Sequence, residues 1–238
     1  MRYALYRIHY GLDFLGKSIE SIERHVDKIF IFWSKEPWYK KCENLPPLNE
    51  NVSEFCKKYK KVTVFEREFE KPINQYKLMY DEIVKYYPHP KKILMMEPDM
   101  VWGDDIEKIW TIPDDEISFK QIEFWKNEEC YIKREQERPG PTLWNTSPKE
   151  TLKGTFLDIK RVHPSYQCYN YGFCLSPEVM RYKHEVAIQS SKYYKDSLPA
   201  KDWYEEKWLN WTPETTDLEI SEKHRHLIKK AIPWVSQK

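Results

Sequence analysis

The sequence predicts an α/β fold built on a mostly parallel central sheet, and three observations carry that expectation. Between Tyr3 and Trp33 an amphipathic helix stands between two apolar strands, with no room for a hairpin, so the two strands must pair in parallel. Ile93-Leu94-Met95-Met96 is a continuous apolar run, as in a strand buried on both faces. Between these points strand and helix periodicities alternate without a break.

The elements follow in order. Tyr3 to His9 reads as a first strand. Leu12, Leu15, Ile19, Ile22 and Val26 recur at helical spacing and set a helix over about 13–25. Lys28 to Trp33 is the second strand, and Pro46-Pro47 marks a loop. Val52 to Tyr59 is a short helix and Val62 to Phe65 a third strand. Ile73 to Tyr86 is helical, with Tyr76, Met79, Tyr80 and Ile83 on one face; Pro88 and Pro90 stop it. After Trp102 the pattern loosens. Asp104 to Trp110 is a short helix and Ile117 to Trp125 a strand. Arg138 to Pro164 is loop-like, with Tyr171 to Leu175 a short strand beyond it. Pro177 opens a helix. Asp202 to Trp211 reads as an amphipathic helix. The tail from Ser221 is basic. With no repeat and no linker, the chain reads as a single Rossmann-like domain over 1–238, with its regular part over about 1–102, a looser part over about 103–220 and a basic tail over 221–238.

Composition narrows the function. The 238 residues carry a net charge of +1 with signs interleaved, which removes the electrostatic case for a nucleic-acid partner. No apolar run approaches the ~20 residues of a membrane span, so no integral membrane segment is expected. The start, Met1-Arg2-Tyr3-Ala4-Leu5-Tyr6, does not read as a signal peptide. Cys42, Cys56, Cys130, Cys168 and Cys174 are odd in number and lack a Cys-x-x-Cys, which fits a reducing, cytoplasmic setting. Six glycines leave no P-loop and no Gly-x-Gly-x-x-Gly. Aromatics reach 16%, which suits an aromatic core and equally suits stacking on sugars and bases.

The chemistry centres on Glu97-Pro98-Asp99. Residues two apart on an extended chain point the same way, and open α/β sheets bind ligands at the carboxyl ends of strands. Two carboxylates there suit a hard divalent cation, since Mg²⁺ takes one or two carboxylates plus substrate phosphates. A solvated acidic strand end has the same sequence.

This order of parts resembles nucleotide-sugar-dependent glycosyltransferases of the A-type (GT-A) fold. The resemblance rests on Tyr6-Arg7-Ile8-His9-Tyr10 and Phe32-Trp33-Ser34 at the ends of the first two strands, and on Ile73-Asn74-Gln75-Tyr76 ahead of the acidic strand. It continues through Glu97-Pro98-Asp99, Tyr169-Asn170-Tyr171-Gly172-Phe173 and Trp203-Tyr204-Glu205-Glu206. It implies a nucleotide-sugar donor, a carbohydrate or glycan acceptor, and a divalent metal, Mn²⁺ or Mg²⁺. It places Ile8, His9, Tyr10, Trp33, Asn74, Glu97, Asn170, Gly172, Lys223 and Arg225 around the donor, and Asp99, Glu97, His224 and His226 around the metal. Glu206 becomes the base of an inverting transfer, with Glu205 and Asp202 behind it. These three acids also suit a helix N-terminus by charge alone. Asn74 equally fits a helix cap and Gly172 a bend. The sequence departs from the family pattern where Glu97 replaces the first Asp of the acidic element, Glu206 replaces Asp in the Glu-Asp pair, and Ser34 replaces an acid. A nucleotidyltransferase of related fold and a non-catalytic carbohydrate-binding or interaction protein are the alternatives. The first normally needs a Gly-rich basic loop after the first strand, and residues 8–17 offer only Gly11 and Gly16.

Overall fold

The parallel half forms as the periodicity requires. In the computed structural model, which describes residues 1–37, 45, 47–68, 75–133, 139–145, 162–191, 203–212, 217–221 and 224–230, β1 (Arg2–Ile8), α1 (Leu12–Ile22) and β2 (Lys28–Trp33) make the expected βαβ unit. Next come α2 (Val52–Cys56), β3 (Val62–Glu66), α3 (Gln75–Ile83) and β4 (Lys92–Met96). The four strands stand in the order β3-β2-β1-β4, all parallel. Alternation along β1 splits the core into two layers. Ala4, Tyr6 and Ile8 meet Leu15, Ile19 and Ile22 of α1 on one face. Tyr3 and Leu5 meet Tyr76, Met79, Tyr80 and Ile83 of α3 on the other.

The second half makes the sheet mixed. β5 (Met100–Trp102) and α4 (Ile106–Ile109) precede β6 (Glu116–Trp125), β7 (Asn127–Lys133), β8 (Pro139–Asn145) and β9 (Val162–Phe173). β8 lies antiparallel between β4 and β6, and β9 runs parallel to β6 while pairing β5 antiparallel. α5 (Pro177–Ser191) and a π-helical segment (Trp203–Leu209) follow, then β10 (Asp217–Ser221) and β11 (His224–Lys230).

Two expectations change, and one unassigned stretch joins the sheet. Residues 139–145, expected as loop, form β8; its Pro-Gly-Pro start lowers strand propensity locally, and pairing on both sides overrides it. Tyr171 is not in a short separate strand but near the end of the 12-residue β9. The basic stretch 224–230, to which the sequence pattern assigned no element, forms β11, which pairs antiparallel with β7 on one side and with β10 on the other.

Candidate functional site

β1 is the point where the strand order turns back. The chain builds outward from β1 to β2 and β3, then returns to set β4 on the other side of β1. The crevice between the carboxyl ends of β1 and β4 is therefore a topological switch point, where open α/β sheets bind ligands. A pocket of about 280 Å³ opens there, lined by residues that include Arg7, His9 and Tyr10 after β1, Glu97 and Asp99 after β4, Glu123 of β6, Asn170 and Gly172 of β9, and Lys183 of α5.

The acidic element is a tight turn and not an extended strand end. β4 stops at Met96, and Met100 N–H donates to Glu97 O at 3.1 Å, closing a four-residue turn with Pro98 at its second position. The turn is clamped from both sides. On α1, Ser18 Oγ donates to Met100 O, and Ser21 Oγ accepts from Trp102 N–H at 3.1 Å. From β9, Tyr171 N–H donates to Asp99 O at 2.8 Å. Glu97 and Asp99 thus reach one pocket through turn geometry, where the sequence suggested strand alternation.

Each carboxylate has a distinct neighbour. Glu97 Oε1 lies 3.2 Å from Arg7 Nη2, while Arg7 Nη1 donates to Gln75 Oε1 at 3.0 Å. Asp99 Oδ2 faces Gly172, where an added Cβ would sit 2.7 Å from that oxygen, 2.9 Å from Asn170 Oδ1 and 3.0 Å from Lys183 Nζ. A side chain at residue 172 would therefore have to displace at least one of these three polar groups. Among the described residues, three carboxylates against two cationic side chains give the pocket lining excess negative charge. Tyr10 is held well above the usual phenol range, first by burial and then by Asp99 and Glu97.

His9 is neutral and fixed. Its Nδ1 faces Ser34 O at 2.9 Å and its Nε2 faces Tyr182 Oη at 2.8 Å, so Nδ1–H donates to the carbonyl and Nε2 accepts from the phenol. Burial lowers its pKa, against the opposing pull of the Ser34 carbonyl. Because the folded value lies below the unfolded one near 6.5, the contribution to stability is fully present above ~6.5 and is lost as pH falls through the depressed folded value. Urea unfolding between pH 7.5 and 5 should therefore show stability falling by up to ~1.4 kcal/mol per pH unit, a slope that His9→Gln flattens. Equal slopes in the two proteins would deny His9 this role.

The start of α1 is already occupied by a carboxylate. Gly11, at φ 104°, turns the chain into the helix, and the N–H groups of Gly11 and Leu12 donate to Glu50 at 2.9 and 3.1 Å. Burial raises the Glu50 carboxyl pKa, and these two hydrogen bonds oppose the rise.

Of the residues singled out from sequence, His9, Tyr10, Glu97, Asp99, Asn170 and Gly172 line this pocket. Ile8 and Trp33 do not: both side chains are buried in the α1-side core, so strand alternation turns them away from it. Glu205 is exposed on the π-helical segment and is absent from the pocket lining. That segment departs from the expected α-helix, as Asn210 N–H bonding to Glu205 O shows. It is tied to the pocket wall, because Trp208 Nε1 donates to Phe173 O at 2.7 Å. Asn74, Asp202 and Lys223 lie outside the described residues, as do the side chains of Glu206, His224, Arg225 and His226. Sequence reading missed Glu123 and Lys183 as pocket residues. Glu123 carries a readable signal, an acid inside the apolar run Ile122 to Trp125. Lys183 carries none among so many lysines.

No protein-family model and no curated relative matches this chain. Solved structures give distant likenesses. 4-Diphosphocytidyl-2C-methyl-D-erythritol synthase from Anaerococcus prevotii is 8% identical with a TM-score of 0.40, over 76% of this chain and 93% of that one. HddC from Yersinia pseudotuberculosis is 13% identical with a TM-score of 0.40, over 71% and 89%. The apo-form glycosyltransferase GlyE of Streptococcus pneumoniae is 13% identical with a TM-score of 0.32, over 60% of this chain and 33% of that one. At these scores the likenesses bear on neither reaction nor site residues.

Proposed function

We propose that the chain is a nucleotide-dependent transferase that moves a sugar from a nucleoside diphosphate to an acceptor hydroxyl. One observation carries the reading: Arg7, His9, Tyr10, Glu97, Asp99 and Lys183 face a single pocket at the β1/β4 switch point. The donor set fits a hard divalent cation. Asp99 and Glu97 offer carboxylate oxygens, and the pocket's excess negative charge favours a cation and repels a bare phosphate. Among the described residues no group of three or more His, Cys, Asp or Glu is arranged to hold a metal ion. When bound, a divalent ion supplies Lewis-acid stabilisation to the departing phosphate. The protein's own groups then orient the donor. Arg7 holds Glu97 in place, His9 offers a neutral, rigid wall, and Asn170 is fixed by Gln121 at 3.0 Å.

Nucleotidyl transfer from a triphosphate would begin in the same pocket. The start of α1 separates the two readings. A triphosphate cradle uses the N–H groups at such a helix start, and here Glu50 accepts from them. Sugar transfer does not call on that position. Isothermal titration with UDP, GDP, CDP and ADP, with and without Mn²⁺, tests the shared premise: at least one should bind, and only with the metal. Product analysis then decides the reaction. Nucleoside diphosphate released from a nucleotide sugar supports sugar transfer. Pyrophosphate released from a triphosphate and a sugar phosphate would replace it with nucleotidyl transfer. Binding of none of the four nucleotides would end both readings.

A further inference from the structure

Arg7 and Lys183 are the two lysine or arginine side chains lining the pocket among the described residues. Arg7 is committed. It pairs with Glu97, donates to Gln75, and its guanidinium lies 5.0 Å from the centre of the Tyr76 ring. Lys183 is not. From the second turn of α5 its Nζ donates to Gly172 O at 2.6 Å and lies 5.0 Å from the centre of the Phe173 ring. Among the described residues it forms no ion pair, although three carboxylates line the same pocket. An ammonium carries three hydrogens, so two remain for a ligand.

We propose that Lys183 is the phosphate-binding side chain of this site, and that it takes the diphosphate of the donor. The inference rests on the nucleotide reading above. Its geometry comes from Gly172. The Asp99 carboxylate and the Lys183 ammonium both crowd the point where a Cβ on residue 172 would stand. A diphosphate bridging a cation on Asp99 and the ammonium of Lys183 meets positive charge at both ends. It also offsets the desolvation of a half-buried lysine. The same role is what the resemblance implied for Lys223 and Arg225, whose side chains lie outside the described residues. The residue stands on a helix packed against the site, so it is positioned before the ligand arrives.

The competing role for Lys183 is structural, a brace on the Gly172 carbonyl, and the two roles separate experimentally. UDP, GDP, CDP, ADP and the four parent nucleosides are titrated with Mn²⁺ into wild type, Lys183→Gln and Lys183→Arg, and each protein is unfolded in urea. We expect Lys183→Gln to weaken binding of the preferred diphosphate by about 10–100-fold, the usual loss of a charge-assisted hydrogen bond. Affinity for the parent nucleoside and the urea midpoint should hold, and Lys183→Arg should recover most of the loss. Unchanged diphosphate affinity in Lys183→Gln overturns the inference while the nucleotide reading stands. A parallel fall in nucleoside affinity and urea midpoint overturns it in favour of the brace. Failure of wild type to bind any of the diphosphates removes the reading, and this inference with it.

Discussion

Asp99→Ala should abolish metal-dependent nucleotide binding, weakening it by about 100-fold or more, because even the partners of metal ligands cost 10–100-fold when removed. The fold should survive. The Asp99 carbonyl accepts from Tyr171 N–H, and alanine keeps that bond. The turn is closed by Glu97 O and Met100 N–H, and the α1 hydroxyls clamp β5 beyond it. Removing one carboxylate from a pocket that holds three also relieves repulsion. The urea midpoint should therefore shift by no more than about 1 kcal/mol in stability. Titration of the preferred diphosphate with Mn²⁺ gives the answer. Wild-type affinity in Asp99→Ala would move the metal elsewhere, and a collapsed midpoint would make Asp99 a structural residue.

Glu206→Gln should lower turnover by about two to four orders of magnitude while the donor KM barely moves. An inverting transfer needs one carboxylate to take the acceptor proton as the oxygen attacks the anomeric carbon. Gln keeps the shape and cannot accept that proton. The expectation comes from the resemblance of Trp203-Tyr204-Glu205-Glu206 to the base-bearing helix of inverting enzymes. Two features support it. The segment is π-helical, a winding frequent at functional sites. Trp208 and Tyr204 bury its inner side, and the Trp208 indole fastens it to Phe173 in the pocket wall. Glu123 is the rival, a carboxylate only 3% exposed on the pocket wall. Full turnover in Glu206→Gln, with the loss falling on Glu123→Gln or Glu205→Gln, would reassign the base. A product that keeps the donor's anomeric configuration would remove the need for one.

The legible and illegible parts of this chain divide along one physical line. Parallel strands β1 to β4 and helices α1 and α3 were readable because each buries its apolar residues at its own period. Leu15, Ile19 and Ile22, or Tyr76, Met79, Tyr80 and Ile83, announce a face wherever they later pack. β8 and β11 were not readable. Their local sequences, Pro139-Gly140-Pro141 and the basic run from His224, oppose strand formation, and pairing with distant strands decides them. The π-helical segment was misread for a related reason: its apolar spacing announces a helix but not its winding.

The site divides in the same way. By itself the sequence determined that an apolar strand ends at Glu97-Pro98-Asp99, and that His9 and Tyr10 end another, because these are statements about neighbours along the chain. Only the tertiary structure decided that the two ends meet. β4 returns to pair with β1, so residues nearly ninety positions apart share one crevice. It also decided that Glu97 and Asp99 reach that crevice around a turn, that Ile8 faces the core, and that Glu123 and Lys183 complete the pocket. At Gly172 the side-chain ends of Asp99, Asn170 and Lys183 converge on the point where a Cβ would stand. Convergence of this kind leaves no period in the sequence. It depends on strand order and close packing, which are fixed only when the whole sheet assembles.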